Sequence, residues 1–145
     1  MSKLDIVFCD LDGTILDDKL RHYNCYRDIV RKFGGVPIGI EEYWEDKRSM
    51  VKRTVLLEKT KFQGTYQQYL DDWLARIEEK HYLSYEILKP KSKETLEFLR
   101  TKSDKVILVT MRQKRDALLQ QLQELKILSC FDEIIVGNAL FQKKS

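Results

Sequence analysis

The chain has 145 residues, 43% of them hydrophobic, which is enough for one domain or for a small core with an insertion. Its 26 lysines and arginines and 23 acidic residues leave a formal charge of +3, and because the two signs are interleaved we expect no nucleic-acid partner. The three cysteines form no Cys-x-x-Cys pair, and no apolar run resembles a signal peptide or is long enough to span a bilayer, so we expect a cytoplasmic protein with reduced thiols and no membrane partner.

An apolar run near the start of the chain leads directly into an acidic loop. Residues 6–9 show no alternation of polar and apolar side chains, which predicts a strand buried on both faces. Asp10 and Asp12 follow at the carboxyl end of that strand, where open α/β sheets place their ligands. Two neighbouring carboxylates require a cation or a bound proton, and Mg²⁺ prefers such oxygens together with substrate phosphate. The loop therefore predicts a phosphate site with Mg²⁺; the alternative is an ordinary surface turn.

Residues 18–85 are predicted to be entirely helical. Apolar side chains recur at helical spacing over 20–33, from about 41, and over about 49–59, and Gly34 ends the first of these helices. A fourth helix follows Thr65, where Gln68 completes a capping box. Since no strand pattern interrupts this stretch, it is predicted to be a helical insertion.

An α/β pattern resumes after residue 89. Ser92 is predicted to cap a helix, residues 105–110 to form a buried strand, residues 114–125 a helix and residues 133–136 a third strand. Thr110 ends the second strand as Asp10 follows the first, so parallel pairing would bring both to one edge of the sheet. The pattern predicts a Rossmann-like parallel-sheet core of residues 1–17 and 86–145 and an all-helical cap of residues 18–85.

The first strand and its loop resemble the first signature of the haloacid dehalogenase-like (HAD) superfamily, the Asp-x-Asp-Gly-Thr nucleophile loop, in the stretch Phe8-Cys9-Asp10-Leu11-Asp12-Gly13-Thr14-Ile15-Leu16-Asp17. The resemblance implies that Asp10 is the nucleophile and forms an aspartyl-phosphate. It implies that Asp12 is the general acid and base and that Asp10, with the backbone carbonyl of Asp12, binds Mg²⁺. It further implies a helical cap that closes over a small phosphorylated metabolite, and a phosphohydrolase activity.

Further residues match later signatures or could contact substrate. Thr110 after an apolar strand is similar to the second signature, whose hydroxyl binds phosphoryl oxygens. The third signature is a lysine, and the spacing from residue 131 favours Lys144 over Lys143. The hydroxyl of Thr14 is expected to bond phosphate or backbone, and Arg112 to contact substrate unless it is simply an exposed arginine at a helix start.

The fourth signature, an acidic pair after a further strand, is not found in the sequence. That strand would supply the remaining metal carboxylates and would cover the free edge of the first strand. We therefore expect a fragment of a longer protein; the alternatives are that a second chain covers this edge by self-association, or that the chain catalyses poorly by itself. A phosphomutase of the same superfamily and a non-catalytic binding protein remain as alternative functions.

A basic cluster of the cap would contact an anionic substrate or simply form a solvated helix face, and comprises Lys47, Arg48, Lys52 and Arg53.

Overall fold

The computed structural model describes residues 4–137. The strands are β1 (Leu4–Cys9), β2 (Leu16–Asp17), β3 (Ile87–Leu88), β4 (Ser103–Thr110) and β5 (Glu133–Val136). The helices are α1 (Lys19–Lys32), α2 (Ile40–Arg48), α3 (Arg53–Glu58), α4 (Tyr66–Arg76), α5 (Lys80–Leu83), α6 (Ser92–Lys102) and α7 (Arg115–Glu124). Their contacts divide the chain into two units, one running up to Asp18 and resuming at Glu86, the other comprising Lys19–Tyr85.

The first unit is built on a parallel sheet. Among the described residues its strand order is β1-β4-β5, with Cys9 beside Leu108 and Thr110 beside Val136. Consecutive parallel strands need crossover connections, and here these contain helices. The predicted α/β fold with a Rossmann-like parallel sheet is confirmed.

The core of this unit lies on one face of the sheet. Val106 and Leu108 of β4 are fully buried against Leu96 of α6 and against Leu118 and Leu122 of α7. Val106 and Leu108 are two positions apart in β4, so their side chains point to the same face of the sheet. This cluster packs against β4, and the pairing of Cys9 with Leu108 sets the register of β1 beside it.

The opposite face of β1 is exposed in the described part of the chain. Cys9 packs against the buried core cluster, whereas Ile6 and Phe8 are 48% and 63% exposed. The prediction that β1 is buried on both faces is therefore wrong for residues 4–137. An unbroken apolar run does not distinguish a strand that is covered on both sides from one that is covered on one.

A short antiparallel ladder joins β2 to β3. Leu16 pairs with Leu88, and Asp17 pairs with Ile87. The ladder therefore links the residues that lead into the helical unit with those that follow it. Two-residue strands have no recognisable periodicity, and the sequence predicts neither of them.

The helical unit has its own core, in which aromatic side chains dominate. Tyr26 of α1 and Tyr43 of α2 have ring centroids 4.5 Å apart. At the start of α4, Thr65 and Gln68 form the predicted capping box, with both hydrogen bonds present. Tyr69 and Trp73 of that helix are buried in the same cluster.

Two predicted helix starts are wrong. The third helix begins at Arg53 rather than near Ser49, because Ser49 caps the end of α2 and Met50 adopts a φ of 58°. Ser92 does not cap α6 but is its first residue, preceded by Lys91 at a φ of 65°. The Ser92 hydroxyl donates instead to the Ile15 carbonyl at 3.0 Å. Within residues 4–137, no helix is both long enough and apolar enough to cross a membrane.

Candidate active site

Asp10 lies immediately beyond the carboxyl end of β1. Its Oδ1 accepts a hydrogen bond from the Leu11 N–H at 2.9 Å, and Leu11 is fully buried in the core. The Asp10 residue itself is exposed. One carboxylate oxygen is thus held by a buried stretch of backbone while the residue remains accessible to a ligand.

The loop after Asp10 is held by backbone hydrogen bonds. The Leu11 carbonyl accepts from the N–H groups of Ile15 and Leu16 at 3.0 and 3.1 Å. Gly13 adopts a φ of 79°, a left-handed conformation that glycine takes without the steric cost of a side chain, and its N–H donates to the Leu16 carbonyl at 3.0 Å. These bonds make the loop a compact turn that fixes where its side chains start.

Thr110 ends β4 beside this loop. Its residue is 3% exposed, its Oγ1 accepts from the Arg112 N–H at 3.2 Å, and its carbonyl accepts from the Gly137 N–H. A hydroxyl that accepts through its oxygen keeps its own proton for another acceptor. Thr110 is therefore set up to donate to an anionic ligand.

Asp10 and Thr110 line one open pocket of about 390 Å³, as the parallel pairing predicts. The other lining residues are Phe8, Cys9, Val109 and Met111. Burial raises the pKa of the Cys9 thiol, so this neighbour of Asp10 stays neutral at physiological pH. The pocket thus combines a carboxylate and a hydroxyl with mainly apolar walls.

A second groove, of about 430 Å³, borders the other side of the loop. Its polar lining residues are Asp10, Thr14, Lys89, Ser92 and Thr95. The Lys89 ammonium donates to the Gly13 carbonyl, so a cation is fixed directly at the loop. Thr14 is exposed and lines this groove, and its contact with substrate stays a prediction.

The Asp12 carboxylate is paired with Arg112. Arg112 Nε donates to Oδ2 at 3.0 Å and Nη2 to Oδ1 at 2.8 Å, an arrangement with two parallel bonds. The Asp12 side chain is 29% exposed and that of Arg112 only 2%. The alternative of an exposed arginine at a helix start is therefore wrong, and the cation beside Asp12 is a guanidinium.

Two further buried residues complete this cluster. Glu86 Oε1 accepts from Arg112 Nη2 at 2.8 Å and from Gln121 Nε2 at 2.7 Å, and its side chain is 0% exposed. Gln121 Oε1 accepts from Arg112 Nη1 at 2.9 Å. Neither residue is among those predicted from the sequence. Gln121 stands out only as a polar residue within the apolar stripe of α7, three positions after Leu118, and Glu86 as a charge between Tyr85 and Ile87.

Oxygen ligands for Mg²⁺ are present in part. The exposed Asp10 carboxylate and the backbone carbonyl of Asp12 are oxygens of the kind this ion takes, and Mg²⁺ commonly binds through one or two carboxylates while water and substrate phosphate supply the rest. Within residues 4–137, no three His, Cys, Asp or Glu side chains group as a metal site. The residues thus fit a Mg²⁺ that shares its coordination with substrate. Lys143 and Lys144 lie outside the described residues.

Comparison with known proteins identifies the family of this chain. The chain matches the family model of haloacid dehalogenase-like hydrolases over residues 6–145. It is 26% identical to a phosphorylated carbohydrates phosphatase of Thermotoga maritima, covering 93% of this chain and 62% of that protein. It is 28% identical to a phosphoglycolate phosphatase of Pseudomonas fluorescens, covering 96% of this chain and 53% of that protein. The chain therefore spans between half and two thirds of the length of these curated relatives.

The fold is shared with solved structures. A HAD-superfamily hydrolase of subfamily IA, variant 1, from Geobacter sulfurreducens superposes with a TM-score of 0.67 at 18% identity, covering 96% of this chain and 65% of that one. The family match extends over nearly the whole chain and includes the Asp-Leu-Asp-Gly-Thr loop that the structure places at the end of β1. On these grounds the chain belongs to the haloacid dehalogenase-like hydrolase family.

Proposed function

We propose that this chain carries the phosphoryl-transfer centre of a Mg²⁺-dependent phosphohydrolase that acts on a small phosphorylated metabolite in the cytoplasm. The names of the two curated relatives, both phosphatases, support the reaction class. The observation that carries the proposal is the shared pocket of Asp10 and Thr110 at the ends of two adjacent parallel strands. In this proposal the pocket holds the nucleophile, Asp10, beside a hydroxyl that donates a hydrogen bond to phosphoryl oxygens.

In the proposed reaction, an Asp10 oxygen attacks phosphorus, and the new O–P bond forms as the bond to the leaving oxygen breaks. Asp12 gives its proton to that leaving oxygen. Asp12 then takes a proton from the water that attacks the aspartyl-phosphate, which releases inorganic phosphate and restores Asp10. Splitting one displacement into two in this way lowers the barrier of each.

Other residues of the chain stabilise charge in this scheme. The Thr110 hydroxyl, and that of Thr14 from the neighbouring groove, donate to phosphoryl oxygens, and Lys144 offsets negative charge. Mg²⁺, bound by the Asp10 carboxylate and the Asp12 carbonyl, would supply electrostatic stabilisation of the transferring phosphoryl group. Residues 18–85 would act as the cap, since an acyl phosphate must be shielded from stray water. Direct contact of Arg112 with substrate is the alternative to its role at Asp12, and a change in KM alone on removal of the guanidinium would identify it.

The first test is release of inorganic phosphate from a panel of sugar phosphates and from phosphoglycolate. The Asp10→Asn variant should lower kcat by on the order of 10³-fold or more, since the nucleophile is lost. Asp104→Asn is the matched control, because Asp104 is an exposed aspartate near the opposite, amino-terminal end of β4. Isomerisation of a sugar phosphate without net phosphate release would identify a phosphomutase instead.

A second test is independent of substrate identity. Beryllium fluoride with Mg²⁺ mimics an aspartyl-phosphate, and it should be retained by the wild-type protein and by Asp104→Asn, but not by Asp10→Asn. Absence of both turnover and retention would support the alternative of a non-catalytic binding protein.

A further inference from the structure

The buried cluster around Arg112 meets the proposed chemistry at Asp12. We infer that Arg112 is a positioning residue: anchored by Glu86 and Gln121, it fixes the direction in which the Asp12 carboxylate exchanges a proton with the leaving group. This inference rests on the proposed function for its kinetic consequences, while its structural content stands independently.

Arg112 has little freedom to move. Its guanidinium is bound through Nη1 to Gln121 of α7 at 2.9 Å and through Nη2 to Glu86, just before β3, at 2.8 Å. Gln121 also donates to Glu86 at 2.7 Å, so the two anchors hold each other. Because the guanidinium is planar, two anchors on separate elements fix the orientation of its plane.

That orientation is passed on to Asp12. The bonds from Nε and Nη2 engage both carboxylate oxygens, at 3.0 and 2.8 Å, and so align the carboxylate plane with the guanidinium plane. Each carboxylate oxygen has a second lone pair. The guanidinium thus sets the plane of the carboxylate, and with it the direction of the second lone pairs on both oxygens, in a side chain that is 29% exposed.

The same contacts distinguish this role from direct binding of substrate. The Arg112 side chain is 2% exposed, and each of its three nitrogens donates to a protein side chain. A residue that bound substrate would change KM when removed, whereas one that aligns the general acid changes kcat.

The leaving group reveals whether alignment of Asp12 matters. An alkoxide must be protonated as it leaves, whereas p-nitrophenolate leaves without a proton. The value of kcat/KM reports the steps up to release of the leaving group, so it isolates the step in which Asp12 is the acid. Arg112→Gln should therefore lower kcat/KM for alkyl phosphates by about 100-fold, the cost of a misplaced catalytic group, and leave p-nitrophenyl phosphate near its wild-type value.

Three variants, including Arg112→Gln, and two controls make the kinetic test. Gln121→Met removes one anchor of Arg112 and leaves the guanidinium and Asp12 in place. It should lower kcat/KM for alkyl phosphates by a smaller factor than Arg112→Gln, and again leave p-nitrophenyl phosphate near its wild-type value. Gln120→Met, an exposed neighbour on α7, and Arg115→Gln, an exposed arginine, are the matched controls. Arg112→Lys keeps the charge but loses the planar fork, so it should restore kcat only in part.

A second readout does not depend on activity. Three-bond couplings to the Asp12 carboxyl carbon, measured by NMR, should show one χ1 rotamer in the wild-type protein, an average of rotamers in Arg112→Gln and an intermediate value in Gln121→Met. If the wild-type protein releases no phosphate, the proposed function fails and these couplings alone decide on the positioning role.

The inference is overturned if Asp12 keeps one rotamer in the variants that fold. It is also overturned if those variants lose the same factor on both classes of phosphate, since that is the result of a purely structural role. Should Arg112→Gln fail to fold, Gln121→Met provides both readouts.

Discussion

Replacing Arg112 with methionine should destabilise the protein strongly. The Glu86 side chain is 0% exposed and lies 2.8 Å from the guanidinium, so the substitution leaves a buried carboxylate without this cation. Breaking a buried ion pair by removing one partner costs about 3–5 kcal/mol. The bond to Asp12 adds less, because that carboxylate is 29% exposed and solvent screens it. We therefore expect the free energy of unfolding to fall by about 4 kcal/mol.

Urea unfolding followed by circular dichroism measures this loss, with Arg115→Met as the control. Arg115 is exposed, and its loss should change the free energy of unfolding by less than about 0.5 kcal/mol. Adding Glu86→Gln to Arg112→Met removes the buried negative charge but keeps a side-chain oxygen that accepts from Gln121. The double variant should therefore recover part of the lost free energy of unfolding. The coupling free energy from this cycle should be about 1–3 kcal/mol. A loss below about 1 kcal/mol for Arg112→Met, or strictly additive effects, would refute the reasoning.

Three further predictions concern other parts of the chain. Thr65→Ala should lower the free energy of unfolding by about 1 kcal/mol, because it removes the hydroxyl that accepts from the Gln68 N–H at 3.1 Å; an unchanged urea midpoint would contradict this. Burial raises the pKa of the Cys25 thiol from 9.0 to about 12. The contribution of this thiol to the free energy of unfolding is therefore fully present below pH 9.0. Above that pH it should fall by about 1.4 kcal/mol per pH unit, because the thiol ionises first in the unfolded chain. Cys25→Ala should remove that part of the slope in unfolding curves recorded at rising pH. Phe8 in β1 is 63% exposed, and Phe98 in α6 is 58% exposed. Self-association through β1, measured by sedimentation, should weaken in Phe8→Lys but not in the control Phe98→Lys. A wild-type protein that is monomeric at all concentrations would count against this prediction.

Features encoded by neighbouring residues could be predicted from the sequence. β5 begins at Glu133 and ends at Val136 as predicted, because a short apolar run is bounded there by polar residues and glycine. The capping box of α4 forms as predicted, since both of its hydrogen bonds join Thr65 and Gln68, three positions apart. The proximity of Asp10 and Thr110 follows from a general rule, since carboxyl ends of parallel strands meet at one edge.

Contacts between distant residues could not be predicted in this way. Ser92 has the residue type of a helix cap, but its hydroxyl bonds a carbonyl 77 positions earlier in the chain. Arg112 is buried because Glu86, 26 positions away, and Gln121, 9 positions away, offer it oxygens. No local pattern encodes such a meeting, and an arginine in a polar stretch is exposed by default. The sequence thus locates the candidate site but not the cation that accompanies Asp12.

The β2–β3 ladder has a consequence for how this chain tolerates change. Because Asp17 and Ile87 are paired across it, the two ends of the intervening segment are held side by side whatever that segment contains. A tight Asn-Gly hairpin could join the same two strands directly, so the core could be produced as a minimal protein. By the same geometry, helical segments of different length and sequence can be exchanged at this position without changing the register of these two strands.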